Sequence, residues 1–221
     1  MPRTKRSIWW SLCVLPLLVV VPLLIAQSAR IDDATLRRAG QTGDDWLTYG
    51  LNQSETRFSP LKDIDATNVS RLGLAWSVDL KSGGGGQEAT PLVANGVIYA
   101  VTNWSVVIAV DARTGQEKWR WDPWVNQAQV RPEICCGVVN RGLAIYEGMV
   151  FVPVIDGRLQ ALDADTGKVI WEARVAHPQD HYTLTMAPRV AKGKVIIGAS
   201  GGDRPTRGFF DAYDAMTGQR A

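Results

Sequence analysis

The chain has 221 residues, 46% of them hydrophobic, and a formal net charge of +2. That composition suits a globular body with a sizeable core, and the charge is too small to argue for nucleic acid or an acidic substrate. Nine Trp and 21 Gly are the unusual counts, and both point to many turns and repeated aromatic packing rather than to helices.

The first 29 residues differ in kind from the rest. Arg3, Lys5 and Arg6 make a basic start, and Ile8 to Ala26 carry no charge. Ala26-Gln27-Ser28 places small residues at the two positions that a signal peptidase reads. The segment reads as a signal peptide. At ~1.5 Å per residue, the apolar run 8–26 is also long enough to stay as a membrane anchor. Both outcomes keep the basic end inside and export the body. Residues 30–45 form a polar lead-in with room for a helical turn or two.

From residue 46 the body repeats. Ala109-Val110-Asp111-Ala112-Arg113-Thr114-Gly115 leads to Trp119, and Ala161-Leu162-Asp163-Ala164-Asp165-Thr166-Gly167 leads to Trp171. A third copy starts at Ala212-Tyr213-Asp214 and reaches Gly218; the three Asp stand 52 and 51 residues apart. Leu72 to Trp76 is the tail of a preceding copy. In each copy a Gly-containing turn (Asn95-Gly96, Glu147-Gly148, Lys192-Gly193) precedes a β-branched run. These runs predict strands over Val97–Val101, Met149–Val154 and Val195–Ala199. Second strands are predicted over Val106–Asp111 and Leu159–Asp163. Each ends in Asp-x-x-Thr-Gly, where Asp can bond the turn backbone and Gly supplies a positive φ. A last strand carries the Trp. Such hairpins, repeating at about 40–50 residues, predict an all-β fold of propeller blades. The Trp would lie against the next blade and seal the seam. The count is about three blades and the start of a fourth, short of a closed ring. The chain therefore reads as the N-terminal part of a partial β-propeller, 46–221.

The repeat resembles the tryptophan-docking repeat of the pyrroloquinoline quinone (PQQ) dehydrogenases. The resemblance runs from Asp45-Trp46 to Gly218. It includes the opening segment Asp45-Trp46-Leu47-Thr48-Tyr49-Gly50 and Thr56-Arg57-Phe58-Ser59-Pro60-Leu61. The implied whole is an eight-bladed quinoprotein alcohol dehydrogenase of the methanol and ethanol dehydrogenase kind. Non-enzymatic outer-membrane assembly scaffolds share the repeat, so the interruptions decide between the two.

The first interruption is Cys135-Cys136 followed by Asn140-Arg141-Gly142. Neighbouring Cα atoms are only ~3.8 Å apart, below the usual disulfide span. The residues alone leave a vicinal disulfide, two reduced core thiols or half a zinc site. Zinc is disfavoured because the only other cysteine, Cys13, lies in the signal. The resemblance implies a disulfide ring that lies against one face of PQQ. It places Arg141 on the cofactor, where a guanidinium suits carboxylates and a carbonyl gaining charge. A lone Arg would otherwise read as surface.

Glu88, in Gln87-Glu88-Ala89-Thr90-Pro91, matches the family's Glu near the cofactor carboxylates; by itself it belongs to a flexible Gly-rich loop. Thr185 matches a cofactor-bonding Thr. Ser200, Gly201 and Gly202 match a turn whose backbone amides approach the carboxylates; the plain alternative is a β-turn. Asp203 falls where the family carries Glu as a calcium ligand. It is a hard oxygen donor one methylene shorter, which leaves calcium and lanthanide both open. His177 and His181 flank Pro178 and read as loop residues, not as a metal pair. No Gly fingerprint for a nicotinamide cofactor is present.

The resemblance implies oxidation of a primary alcohol or similar small hydroxyl compound in the periplasm. Electrons would pass to cytochrome c or the membrane quinone. The family's catalytic Asp and a further metal ligand come from later blades, so no catalytic residue is assigned and the fragment alone is expected to be inactive. A non-catalytic propeller scaffold for protein binding is the alternative, and it has no need of the cysteine pair.

Overall fold

The computed structural model describes residues 30–82 and 85–221. The expected export segment and two glycines of the run at 83–86 lie outside those residues. No helix among the described residues is long and apolar enough to cross a membrane.

Among the described residues, eleven strands form three antiparallel sheets. The first contains β1 (Leu92–Ala94), β2 (Val97–Val101), β3 (Val107–Asp111) and β4 (Glu117–Trp121). The second contains β5 (Ala144–Tyr146), β6 (Met149–Pro153), β7 (Arg158–Asp163) and β8 (Val169–Arg174). The third contains β9 (Arg189–Ala191), β10 (Lys194–Ala199) and β11 (Phe209–Asp214). Every strand pairs with its neighbour in sequence, so each sheet is a meander, the form of one propeller blade. The three sheets do not close into a ring. A bridge from Tyr213 to Arg220 starts the outer pairing of the third blade. The tail at 72–76 forms no strand.

Local chemistry sets each hairpin. Asn95 and Gly96 have φ of 51° and 74°, and Glu147-Gly148 and Lys192-Gly193 repeat the pattern. Two positive φ values make the tight turn whose twist matches that of the strands. At the next corner Asp111 Oδ1 accepts from the Thr114 amide and hydroxyl, both at 2.8 Å. Asp163 does the same with Thr166, and Asp214 with Thr217. The Thr114 hydroxyl and amide hold the Asp111 carboxyl below the usual carboxylate range.

The seams follow from those corners. A Cβ built on Gly167 would stand 2.6 Å from Trp119 Cε3, and the φ there is +70°. Gly115 meets Trp76, and Gly218 meets Trp171, in the same way. Each Trp thus lies flat on the glycine of the following blade's corner. Trp119 Nε1 donates to Ala164 O at 3.0 Å, and Trp171 Nε1 to Ala215 O at 2.9 Å. A register shift beside Ala109 in one blade and Ala161 in the next leaves an extra residue just before the Trp. Such bulges re-aim a side chain. Burying a Trp of this size is worth on the order of 4–6 kcal/mol before ordering entropy is subtracted.

Burial reflects the stacking. β6 is buried at every position, because the middle blade is covered on both faces. In β10 buried positions alternate with half-exposed ones along most of the strand. Arg158 adds a polar tie across the first seam: it grips Asp156 with two nitrogens and donates to Pro123 O at 2.8 Å.

The lead-in contains α1 (Asp33–Arg37), capped by Asp32 through the Thr35 amide at 2.8 Å. It then runs across the first turns of all three blades. Asp45 accepts from the Asn95 amide, Ile31 O from the Glu147 amide, and Asp33 from the Lys192 amide. Trp46 and Val93 exchange backbone bonds of 2.8 and 2.9 Å. This fixes one end of the blades and leaves the other end to the long loops.

Two outcomes are expected. Gly167→Ala should cost roughly 2–5 kcal/mol, since a left-handed φ and a clash with Trp119 combine. Gly148→Ala, with a positive φ but open space around it, should cost only about 1–2 kcal/mol. Urea midpoints of the two variants check the difference. Separately, Lys194 beside Asp214, helped by the turn hydroxyl and amides, holds that carboxyl at about 2 against an ordinary 3.8. A folded value below the unfolded one stabilises above 3.8 and is lost as pH falls toward 2. Asp214→Asn should flatten the thermal midpoint across that window.

Candidate cofactor site

The free end of the blades is built from equivalent positions, the residues entering each inner strand. Thr90 N donates to Arg141 O at 3.3 Å, and Arg141 N donates to Thr185 O at 3.0 Å. Three blades therefore present Thr90, Arg141 and Thr185 side by side near the inner edge. Asn140, fully buried, anchors the middle one. Its Nδ2 donates to Ser105 Oγ at 3.1 Å and Pro153 O at 2.8 Å, and its Oδ1 accepts from the Gly142 amide at 3.0 Å. The sequence marks Asn140 only as a flank of Arg141; the structure makes it the post on which Arg141 stands.

A cleft of about 330 Å³ opens above these positions. It is lined by eight of the nine residues singled out in the sequence: Glu88, Cys135, Cys136, Arg141, Thr185, Ser200, Gly201 and Asp203. Gly202 follows in the same turn and does not line it. Cys135 and Cys136 form a disulfide across Cα atoms 3.8 Å apart. Cys136 and Gly137 have φ of 63° and 114°, so the loop turns sharply at the ring. The zinc and free-thiol alternatives are thereby set aside.

Charges in the cleft are largely matched. Arg141 Nη2 lies 3.1 Å from Glu88 Oε2, with both side chains close to half exposed. Arg141 Nη1 also donates to Thr185 O at 3.4 Å. The far wall is Thr183 paired with Ser200: their backbones exchange bonds of 3.0 and 2.8 Å, and their hydroxyls meet at 2.8 Å. This modifies one expectation. The Ser200 amide is committed to Thr183, so it does not face a ligand carboxylate. Gly201 also has an internal reason, because a Cβ there would meet Thr206 Oγ1 at 2.7 Å and His181 O at 2.9 Å. Gly202 is different, since a Cβ there would enter open space.

Six further lining residues were not singled out in the sequence: Glu133, Ile134, Gly137, Val139, Thr183 and Arg204. They sit on loops whose path is set by other blades. The only hint was Thr183 standing two before Thr185, on the same face of an extended segment. His181 Nδ1 lies 2.6 Å from Glu133 Oε2. Among the described residues, no group of three or more His, Cys, Asp or Glu is placed to hold a metal ion.

The fold is that of β-propeller blades, with a cleft where the inner strands begin. Residues 46–221 match the PQQ family model described as glucose/ethanol/alcohol dehydrogenase, beta-propeller domain, and the chain belongs to that family. It is 52% identical over 198 residues to quinohemoprotein alcohol dehydrogenase ADH IIB of Pseudomonas putida, covering 90% of this chain and 28% of that protein. The crystal structure of quinohemoprotein alcohol dehydrogenase from Comamonas testosteroni matches with a TM-score of 0.81 and 48% identity, over 86% of this chain and 28% of that one. A europium-containing methanol dehydrogenase matches with a TM-score of 0.79 and 39% identity, over 85% and 33%. The chain thus spans only about a third of its relatives' length, or less.

The family implies PQQ, and the cleft fits such a group. Its volume suits a ligand of that size. A guanidinium and hydroxyls face into it, the disulfide offers an apolar surface, and the space at Gly202 admits a close approach. For a metal, the described residues of the cleft offer the carboxylates of Asp203, Glu88 and Glu133, which are not gathered into one cluster.

Asn140→Ala removes three hydrogen bonds and strands buried partners. It should cost about 2–4 kcal/mol and detach Arg141 from its seat, which a urea midpoint and the Arg141–Glu88 pair in a structure of the variant would report.

Proposed function

We propose that the protein to which this chain belongs oxidises primary alcohols or similar small hydroxyl compounds, using PQQ held in this cleft. The single observation that carries the reading is the convergence of the Cys135–Cys136 disulfide, Arg141, Thr185 and Ser200 on one cleft, in a chain of the PQQ family. When bound, the quinone supplies a two-electron acceptor for the alcohol carbon.

The residues of this chain prepare the site. Arg141 presents a fixed planar donor to carboxylate or carbonyl oxygens, and Glu88 keeps it oriented. Its backbone ties to Thr90 and Thr185 hold it without reorganisation, the condition for useful electrostatic stabilisation. The disulfide offers an apolar surface on one wall of the cleft. Thr185 and Ser200 add hydroxyls from the wall. Gly201 and Gly202 border the turn, and Gly202 leaves room for the cofactor edge. Asp203 is proposed as one oxygen ligand for calcium or a lanthanide. We assign no proton-accepting residue within the chain, and the chain by itself is proposed to be inactive.

Export to the periplasm fits the basic, apolar N-terminal segment and a disulfide, which persists in oxidising compartments. Transfer of electrons to cytochrome c or the membrane quinone is proposed from relatives named as cytochrome c and quinone alcohol dehydrogenases.

The test uses the product of the complete reading frame, oxidised at Cys135–Cys136, titrated with PQQ with calcium or a lanthanide present. Saturable binding followed by absorbance is expected. Arg141→Ala should weaken it about 10–100-fold through loss of a charge-assisted bond. A folded, oxidised protein that takes up no PQQ would overturn the reading and leave the binding scaffold.

A further inference from the structure

His181 has no role in the cofactor reading, yet it touches both walls of the cleft. Its ring Nδ1 lies 2.6 Å from Glu133 Oε2. Its backbone carbonyl packs on Gly201, 2.9 Å from where a Cβ would stand. Glu133 closes a short 3-10 turn two residues before Cys135. His181 follows another such turn, with φ of 64°. One residue therefore links the loop that carries the disulfide to the turn that carries Ser200 and Asp203. A second tie joins the same two segments: the Arg204 guanidinium donates to Pro132 O.

We infer that His181 is a positioning residue, clamping Glu133 so that the Cys135–Cys136 ring is seated against the Thr183–Ser200 wall. The consequence for the cofactor rests on the reading proposed above. Glu88, Glu133 and Asp203 all line the cleft. Glu88 is paired with Arg141, and His181 Nδ1 holds Glu133. Without that contact the Glu133 loop would be free to shift the disulfide. Groups that orient a binding residue without touching the ligand commonly change affinity 10–100-fold when removed.

The left-handed backbone at His181 shapes the test. Asn tolerates that φ, and its Nδ2 stands near the place of the imidazole Nδ1. Gly tolerates the φ but offers no donor. The experiment uses the complete protein with two readouts: thiol release from Cys135–Cys136 by dithiothreitol without PQQ, and PQQ affinity by titration. His181→Gly should release thiols about tenfold faster and bind PQQ about tenfold more weakly. His181→Asn should stay within about threefold of the parent in both. Glu133→Ala, breaking the clamp from the other side, should match His181→Gly and replaces it if that variant does not fold. Reduction at the parent rate in His181→Gly and Glu133→Ala would overturn the inference. So would failure of Asn to rescue. If the parent protein takes up no PQQ, the cofactor reading falls, while the reduction rates still decide the clamp.

Discussion

A tryptophan laid on a glycine holds this architecture together. Trp76, Trp119 and Trp171 each cover the corner glycine of the following blade, at a distance no Cβ would permit. The contact rests on local features. An Asp-capped corner presents the glycine and a positive φ bends the chain there, and at Trp119 and Trp171 a bulge before the Trp also aims the ring. Each of these is encoded within about ten residues of sequence. Their product is long-range, because it fixes how far one sheet is rotated from the next.

That fixed rotation makes the site possible. Once the blades are stacked, the starts of their inner strands lie side by side, and Thr90, Arg141 and Thr185 bond to one another across blades. The lead-in does complementary work at the opposite end, where it crosses the turns at Asn95, Glu147 and Lys192. A rigid body closed at one end leaves its variation to the loops at the other. The cysteine pair and the Ser200–Asp203 turn sit on those loops, as functional groups on rigid scaffolds commonly do.

The electrostatics of the cleft follow the same division. Arg141 is oriented by backbone ties and by Glu88, so its charge is offered from a prepared position. The carboxylates of Glu88 and Glu133 each have a partner. Asp203 places its oxygens one methylene nearer the backbone than a Glu would, which bears on any metal it would help to hold.

What the sequence determined by itself was everything carried by short-range pattern. The Asp-x-x-Thr-Gly corners, the positive-φ turns and the β-branched runs are local, and strands predicted from them match β2, β3, β6, β7 and β10 to within a residue. The pairing of neighbours in the chain makes each blade a local object, which is why the propeller was legible. The cleft residues were legible only through their resemblance to a family, because Glu88, Arg141 and the pair Thr185 and Ser200 come from three blades far apart in the chain. Only the tertiary structure could show Asn140 as the support of Arg141, Thr183 as the partner of Ser200, and His181 against Glu133. Those contacts bridge loops 17 to 48 residues apart. Their geometry is set by how blades stack, a sum over the whole seam that no local window contains.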